Sequence, residues 1–249
     1  DTLNGGAGND VLTGQAGVDI INGGAGNDTI HVDVLANFED LATPEQVDGG
    51  EGTDTLNFGS NVAHTTSAAD LAGIKNIEKI TYDTSGTATI TVDDAVFTNA
   101  GVTNLDIRDL EGTQGITVTA SALSAANSIT VTDNGANKTS SVTGGAGDDT
   151  YKVTINHATA LAAADTFTGG KGTDELIITG GNASLTQAAQ TGVTAIEKIT
   201  FINPAAKTLA YTLADASFVT TALGVTNGVV DASGMTGSGA LTFVGTAED

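Results

Sequence analysis

The chain has 249 residues with 30 acidic and 8 basic side chains, a net charge of -22, which excludes nucleic acid and anionic membrane surfaces as partners. It has no Cys, so disulfides, thiolate zinc sites and a Cys nucleophile are excluded too, and no run of the roughly 18 apolar residues that would span a membrane. Hydrophobic residues make up 39% and aromatics only 4%, so a core must be built from Val, Ile, Leu and Ala. Recurrent Val/Ile/Thr runs argue against disorder despite the acidity.

Residues 1–31 repeat a nine-residue unit, G-G-x-G-x-D-x-U-x, where U is a large apolar residue. It fits at Gly5–Thr13, at Gly14–Asn22 with Gln15 in place of the second Gly, and at Gly23–His31. The same unit returns at Gly49–Asn57, Gly144–Lys152 and Gly169–Ile177, and Asp1-Thr2-Leu3-Asn4 reads as the tail of another copy. Gly adopts positive φ without steric cost, so the hexamer can turn tightly and point carbonyls inward. The three residues after it suit a short strand with one buried side chain, such as Leu12. Turn plus strand makes half a coil; two units make a coil of about 18 residues, and stacked coils make a parallel β-roll. Stacked turns then surround a gap with carbonyl and carboxylate oxygens. Such a cage suits a hard cation taking about 6–8 oxygens, which is Ca²⁺ rather than a softer metal. A phosphate loop is excluded because a carboxylate follows the glycines, and no EF-hand loop is present.

On these residues the chain resembles the repeats-in-toxin (RTX) family of secreted calcium-binding proteins. The resemblance implies that the liganding carboxylates fall on Asp10, Asp19, Asp28, Asp54, Asp149 and Asp174, with Asp1 completing the site of Asp19. It implies ligand or orienting roles for Asn9, Asn27 and Asp148 at position five. Turn glycines fall on Gly6, Gly8, Gly17, Gly24, Gly26, Gly50, Gly52, Gly145, Gly147, Gly170 and Gly172. Stacking pairs Asp10 with Asp28, Asp28 with Asp54 and Asp149 with Asp174, and Gln15 makes its own turn irregular.

A longer repeat, about 120 residues apart, overlies the short one. It divides the chain into the roll at 1–31, a first module at 23–143, a second at 144–244, and the start of a further repeat at 245–249. The chain thus reads as a piece of a larger modular protein. The spacing between paired nonapeptides predicts insertions, as loops or short helices, around 34–47 and 155–166. Next, the stretches 68–80 and 184–199 have helical composition and end in I-E-K-I-T-aromatic. There Ile77, Ile80 and Tyr82 cannot share one face without a bend. Glu78 with Lys79, and Glu197 with Lys198, read as solvated pairs at a coil edge. Later in the first module, 87–94, 102–109, 114–121 and 127–134 read as strands of a continuing solenoid, with a separate sandwich over 83–141 as the alternative. The predicted fold is all-β, a calcium-stabilised parallel β-roll or β-solenoid with short helical or loop insertions.

No catalytic constellation is expected. His31, His64 and His157 are isolated, no nucleophile elbow occurs, and Asp93 and Asp94, read as strand neighbours, would face opposite ways. The alternation of calcium turns with Thr/Val strands is similar to RTX surface-layer proteins and adhesins of bacteria. That likeness implies type I secretion, a place at the bacterial cell surface, folding on Ca²⁺, self-association into a lattice, and contact with a surface polysaccharide. Two other roles stay open: an adhesin segment that binds a glycan or host surface, and a non-catalytic appendage of an extracellular enzyme.

Overall fold

The structure, a computed structural model, describes residues 1–14, 19–32, 46–60, 63–84, 86–110, 115–134, 139–155, 165–180, 184–185, 192–203, 209–211, 229–235 and 241–243. Gln15, Gly17, most of both expected insertions (33–45 and 156–164) and the expected repeat start at 245–249 lie outside the described residues.

The chain winds as a parallel β-solenoid. Each coil lays one strand on a ten-stranded sheet made of Val11–Thr13, Thr29–Val32, Thr55–Ser60, Lys79–Thr84, Asn104–Asp109, Ser128–Asp133, Thr150–Ile155, Glu175–Gly180, Lys198–Asn203 and Val229–Met235. The other wall begins as a four-stranded sheet of Thr2–Ala7, Ile20–Ala25, Gln46–Glu51 and Ile74–Lys75. A separate six-stranded sheet of His64–Thr66, Ala88–Thr91, Ile116–Thr119, Ser141–Thr143, Thr166–Thr168 and Val193–Thr194 serves the later coils, the coil with Ile74–Lys75 contributing a strand to both. Ser184–Leu185, Leu209–Tyr211 and Leu241–Phe243 form a further small sheet. The described strands within 83–141 all lie on the ten- and six-stranded parallel sheets, so the sandwich alternative is excluded.

Parallel register turns the two-residue period of each strand into files that run along the solenoid. One inward file is Leu12, Ile30, Leu56, Ile80, Ile107, Val131, Tyr151, Leu176 and Ile199. From Ile30 onward every member is buried, each at roughly 1.5–3 kcal/mol for a large side chain. A second file runs Val32, Phe58, Tyr82, Asp109, Asp133, Val153, Ile178 and Phe201. Phe58 stacks on Tyr82 with ring centroids 5.2 Å apart. The two carboxylates in this otherwise apolar file are buried, and Asp133 accepts from the Ser140 hydroxyl at 2.6 Å.

Coil length is not fixed. Successive strands pair Val11 with Thr29 in the N-terminal roll but Lys198 with Val229 near the other end. The sheet demands one strand per coil and leaves the connection free, so the nine-residue period holds only where nonapeptides follow one another directly. The expected bend near Ile77 is present: Asn76 has φ 49°, and Ile77, Ile80 and Tyr82 are all buried.

Two expectations fail. Ala68–Gly73 forms turns rather than a helix. Ser67 and Asp70 bond each other as a capping box does, but the amides of Asp70, Ala72 and Ile74 each reach only three residues back, so the chain makes successive turns. A helix forms instead at Asp94–Ala100: the strand expected over 87–94 is present but ends at Thr91, and the two acidic residues read as its end start the helix. Asp93 is its N-cap and accepts from the amides of Ala95 and Val96; Gly101 closes it in a left-handed conformation.

Candidate metal site in the stacked turns

The glycines at positions two and four of the nonapeptide take positive φ: Gly6, Gly8, Gly24, Gly26, Gly50, Gly52, Gly170 and Gly172, all between 99° and 137°. Position one is Gly for a different reason, absent from the sequence reading. At Gly23 and Gly49 a Cβ would overlap Oδ2 of the turn's own Asp and a carbonyl of the next coil. The Asp carboxylate lies over that glycine, and only hydrogen leaves room for it.

Two ladders of hydrogen bonds, running in opposite directions, lock the turns together. At position six the amide of one Asp donates to the Asp carboxylate of the following coil: Asp10 to Asp28 at 2.8 Å, Asp28 to Asp54 at 2.7 Å, and Asp149 to Asp174 at 2.8 Å. At position five the later amide donates back to the earlier side chain: Asn27 to Asn9, Thr53 to Asn27, and Thr173 to Asp148, at 2.7–2.9 Å. Position five therefore holds turn to turn. On the other edge of the roll the backbone nitrogen of Asp1 donates to Asp19 Oδ1 at 2.6 Å, the same rung that Asp10 makes to Asp28. The expected pairs are thus brought together.

The ladder uses only one oxygen of each carboxylate. Oδ2 of Asp10, Asp19, Asp28, Asp54 and Asp174 is buried with no hydrogen-bond partner. An orphaned buried acceptor costs about 1–3 kcal/mol, and more when it is charged. Burial pushes the Asp54 carboxyl up, aided by the charges of Glu78, Asp28 and Asp48. Burial pushes Asp174 up to about 7, and the charges of Asp149, Glu197 and Asp148 add to it. Both effects name what is missing: positive charge. Among the described residues no three His, Asp or Glu side chains converge. A cation here would draw most of its oxygens from backbone carbonyls, and the nearest are those that converge with each Oδ2 over the position-one glycine. Buried, unpartnered carboxylate oxygens beside backbone carbonyls make an all-oxygen donor set of the kind Ca²⁺ takes.

Gly144–Asp149 departs from this pattern. Gly145 and Gly147 do not take positive φ, contrary to expectation. The coil beneath is no glycine turn: Leu123 lies against Gly145 and the Asn127 carbonyl against Gly147. Asp149 is bonded through both oxygens, Oδ1 accepting from Ile129 and Oδ2 from Gly145, each at 2.8 Å. Burial still raises its carboxyl.

Glu78 and Glu197 were missed as parts of the stack. Each accepts from the Asp of the preceding coil: Asp54 to Glu78 at 2.7 Å, and Asp174 to Glu197 at 2.6 Å. Lys198 reaches Glu175 at 3.0 Å, so the expected edge pair is replaced by a rung of the ladder and a cross-strand ion pair. The signal was present, since I-E-K follows both nonapeptide pairs at nearly the same remove, Glu78 lying 24 residues after Asp54 and Glu197 23 after Asp174.

The family model for the RTX calcium-binding nonapeptide repeat matches the chain in four copies, over residues 1–30 and 155–185. The units at Gly49 and Gly144 fall outside those spans. No curated protein and no solved structure matches the chain. Among the described residues no helix is long and apolar enough to cross a membrane.

Proposed function

We propose, from the RTX repeats that this chain carries, that it is a structural calcium-binding region of a secreted bacterial surface protein, folded by Ca²⁺ and assembling with copies of itself. The observation that carries the reading is the row of buried, unpartnered Oδ2 atoms on Asp10, Asp28 and Asp54. Asp10, Asp28, Asp54 and Asp174 would hold ions between coils, and Asp19 would hold one on the opposite edge. Their oxygens share the work with turn carbonyls, Gly6, Gly8, Gly24, Gly26, Gly50, Gly52, Gly170 and Gly172 giving those turns their shape. Asn9, Asn27 and Asp148 orient the turns. Bound Ca²⁺ neutralises the stacked carboxylates and lets the coils close; without it they repel. Since the unfolded chain has no such cage, binding free energy becomes folding free energy.

The net charge of -22 supports an environment rich in divalent cations, and the repeats support export, because they are typical of secreted bacterial proteins. A calcium titration followed by circular dichroism and light scattering tests the whole reading. A coil-to-β transition with growth to large particles is the expected result. The same transition in a persistent monomer would move the assignment to an adhesin segment or an enzyme's calcium-binding appendage. Full β signal in excess chelator would overturn the calcium reading.

A further inference from the structure

The nonapeptides stop at Asn57 and again at Ile177, and register shows what replaces the next turn. Val47 pairs with Ile74 and Asp48 with Lys75, which sets Asn76 beside Gly49. Thr55 pairs with Lys79, which sets Glu78 beside Asp54. Three residues, Asn76-Ile77-Glu78, thus stand where the coil below uses six. The second copy repeats the substitution. Thr168 pairs with Thr194 and Glu175 with Lys198, so Ala195-Ile196-Glu197 faces Gly169–Asp174.

The backbone is the same in both. Asn76 (φ 49°) and Ala195 (φ 52°) are the two non-glycine residues with positive φ among the described residues. Asn adopts a left-handed conformation readily but Ala does so at a steric cost, so its recurrence at both places marks a required shape. That shape aims the Asn76 carbonyl, with Asp54 Oδ2, at the space over Gly49, and the Ala195 carbonyl, with Asp174 Oδ2, at the space over Gly169. The Gly49 carbonyl and Asp28 Oδ2 share the space over Gly23 in the same way. Ile77 and Ile196 are fully buried and pin the short turn to the core.

We propose that Asn76-Ile77-Glu78 and Ala195-Ile196-Glu197 close two cation sites, Glu78 completing the site of Asp54 and Glu197 that of Asp174. This rests on the calcium reading above and extends it to residues outside the nonapeptide pattern. Asp54 and Asp174 are each 0% exposed, and Oδ2 of each is unpartnered, so both sites already hold an ion-seeking oxygen. The extra methylene of Glu spans the distance lost in the shorter turn. If the side chain served only to accept the Asp amide, a neutral Gln would do it without repulsion. A second carboxylate beside a buried one is favourable only with a cation to share. The ligand class is a hard divalent cation bound by two carboxylates and backbone carbonyls.

The test is Ca²⁺ binding by the 249-residue chain carrying Glu78→Gln, Glu197→Gln or both, measured by calorimetry and by circular dichroism. Gln keeps an acceptor for the Asp54 and Asp174 amides. Each single variant is expected to weaken one ion at least tenfold and the double variant two, with normal β signal at saturating Ca²⁺. Unchanged stoichiometry and affinity in the double variant would overturn the proposal, while Asp28→Asn in the same assay reports separately on the calcium reading. Absence of Ca²⁺ binding by the parent chain would overturn both. Should Glu78→Gln fail to regain β signal, Glu197→Gln decides: one ion weakened at least tenfold supports the proposal, and unchanged binding overturns it.

Discussion

The turns Gly23–Asp28 and Gly144–Asp149 differ in one residue, Asn27 against Asp148, yet they fold differently. The first lies between two other glycine turns. Gly24 pairs with Gly6 below and Gly50 above, its φ is 110°, and Asp28 keeps a free oxygen. The second lies on Ala120–Asn127, which is not a glycine turn, and there Asp149 spends its second oxygen on the Gly145 amide. A turn held by its own hydrogen bond offers less to a metal than one left open. The nonapeptide therefore encodes a capacity that the coil beneath it releases or withholds.

The widest test of this contrast is removal of Ca²⁺. Each site occupied at about 1,000 times its dissociation constant contributes about 4 kcal/mol of stability. Hydrogen exchange in chelator should show amides of 1–32 and 46–56 losing protection first. Those of Ile116–Thr119 and Ser128–Asp133, strands outside the nonapeptide units, should lose it last. Simultaneous loss throughout would show that the coils have no separate calcium dependence.

Single carboxylates sharpen the comparison. Asp28→Asn should raise the Ca²⁺ midpoint of folding at least tenfold, which is about 1.4 kcal/mol. Asp149→Asn should raise it less than about threefold, because a metal there must displace the Gly145 amide, worth about 1 kcal/mol. Equal shifts in a circular-dichroism titration would mean that the two turns open alike once Ca²⁺ arrives.

That contrast also marks how far the sequence could be read. The stacked turns were legible because their logic is local: Asp at six, Gly at two and four, and a period that stacks Asp10 on Asp28. The solenoid over 83–141 was legible because short alternating strands recur at even spacing. The shape of Gly144–Asp149 was not, since it depends on Leu123 and Asn127 in the coil beneath. Glu78 and Glu197 were hidden for a related reason: register alone, not spacing, shows that three residues do the work of six. Asp93 was misread because an N-cap and a strand end use the same residues.

Proton uptake gives a smaller effect with a definite sign. Asp174 is pushed up to about 7 by burial and by its acidic neighbours, and burial also raises Asp54 and Asp149. A carboxyl whose folded pKa lies above its unfolded value binds its proton more tightly in the fold. Its stabilisation is fully present below about 4 and is lost as pH rises through about 7. In chelator the melting temperature should therefore be higher at pH 5 than at pH 8. In saturating Ca²⁺ the order should reverse, because protons compete with the metal for the same oxygens. A melting temperature higher at pH 5 in both conditions would argue that Asp174 is not a ligand.

The smallest effect concerns the place where the two turns agree. Asn27 accepts from the Thr53 amide at 2.9 Å, and Asp148 accepts from the Thr173 amide at 2.7 Å, both at exposed positions. Neither bond depends on the shape of the glycines or on an open Oδ2. Asn27→Ala and Asp148→Ala should each cost about 0.5–1.5 kcal/mol in denaturant unfolding at fixed, saturating Ca²⁺, the net worth of one such bond. Near-equal costs would place the difference between the turns at position six and its glycines. A markedly larger cost at Asn27 would mean that position five also feels the metal, making it a ligand in the open turn and only a brace in the closed one.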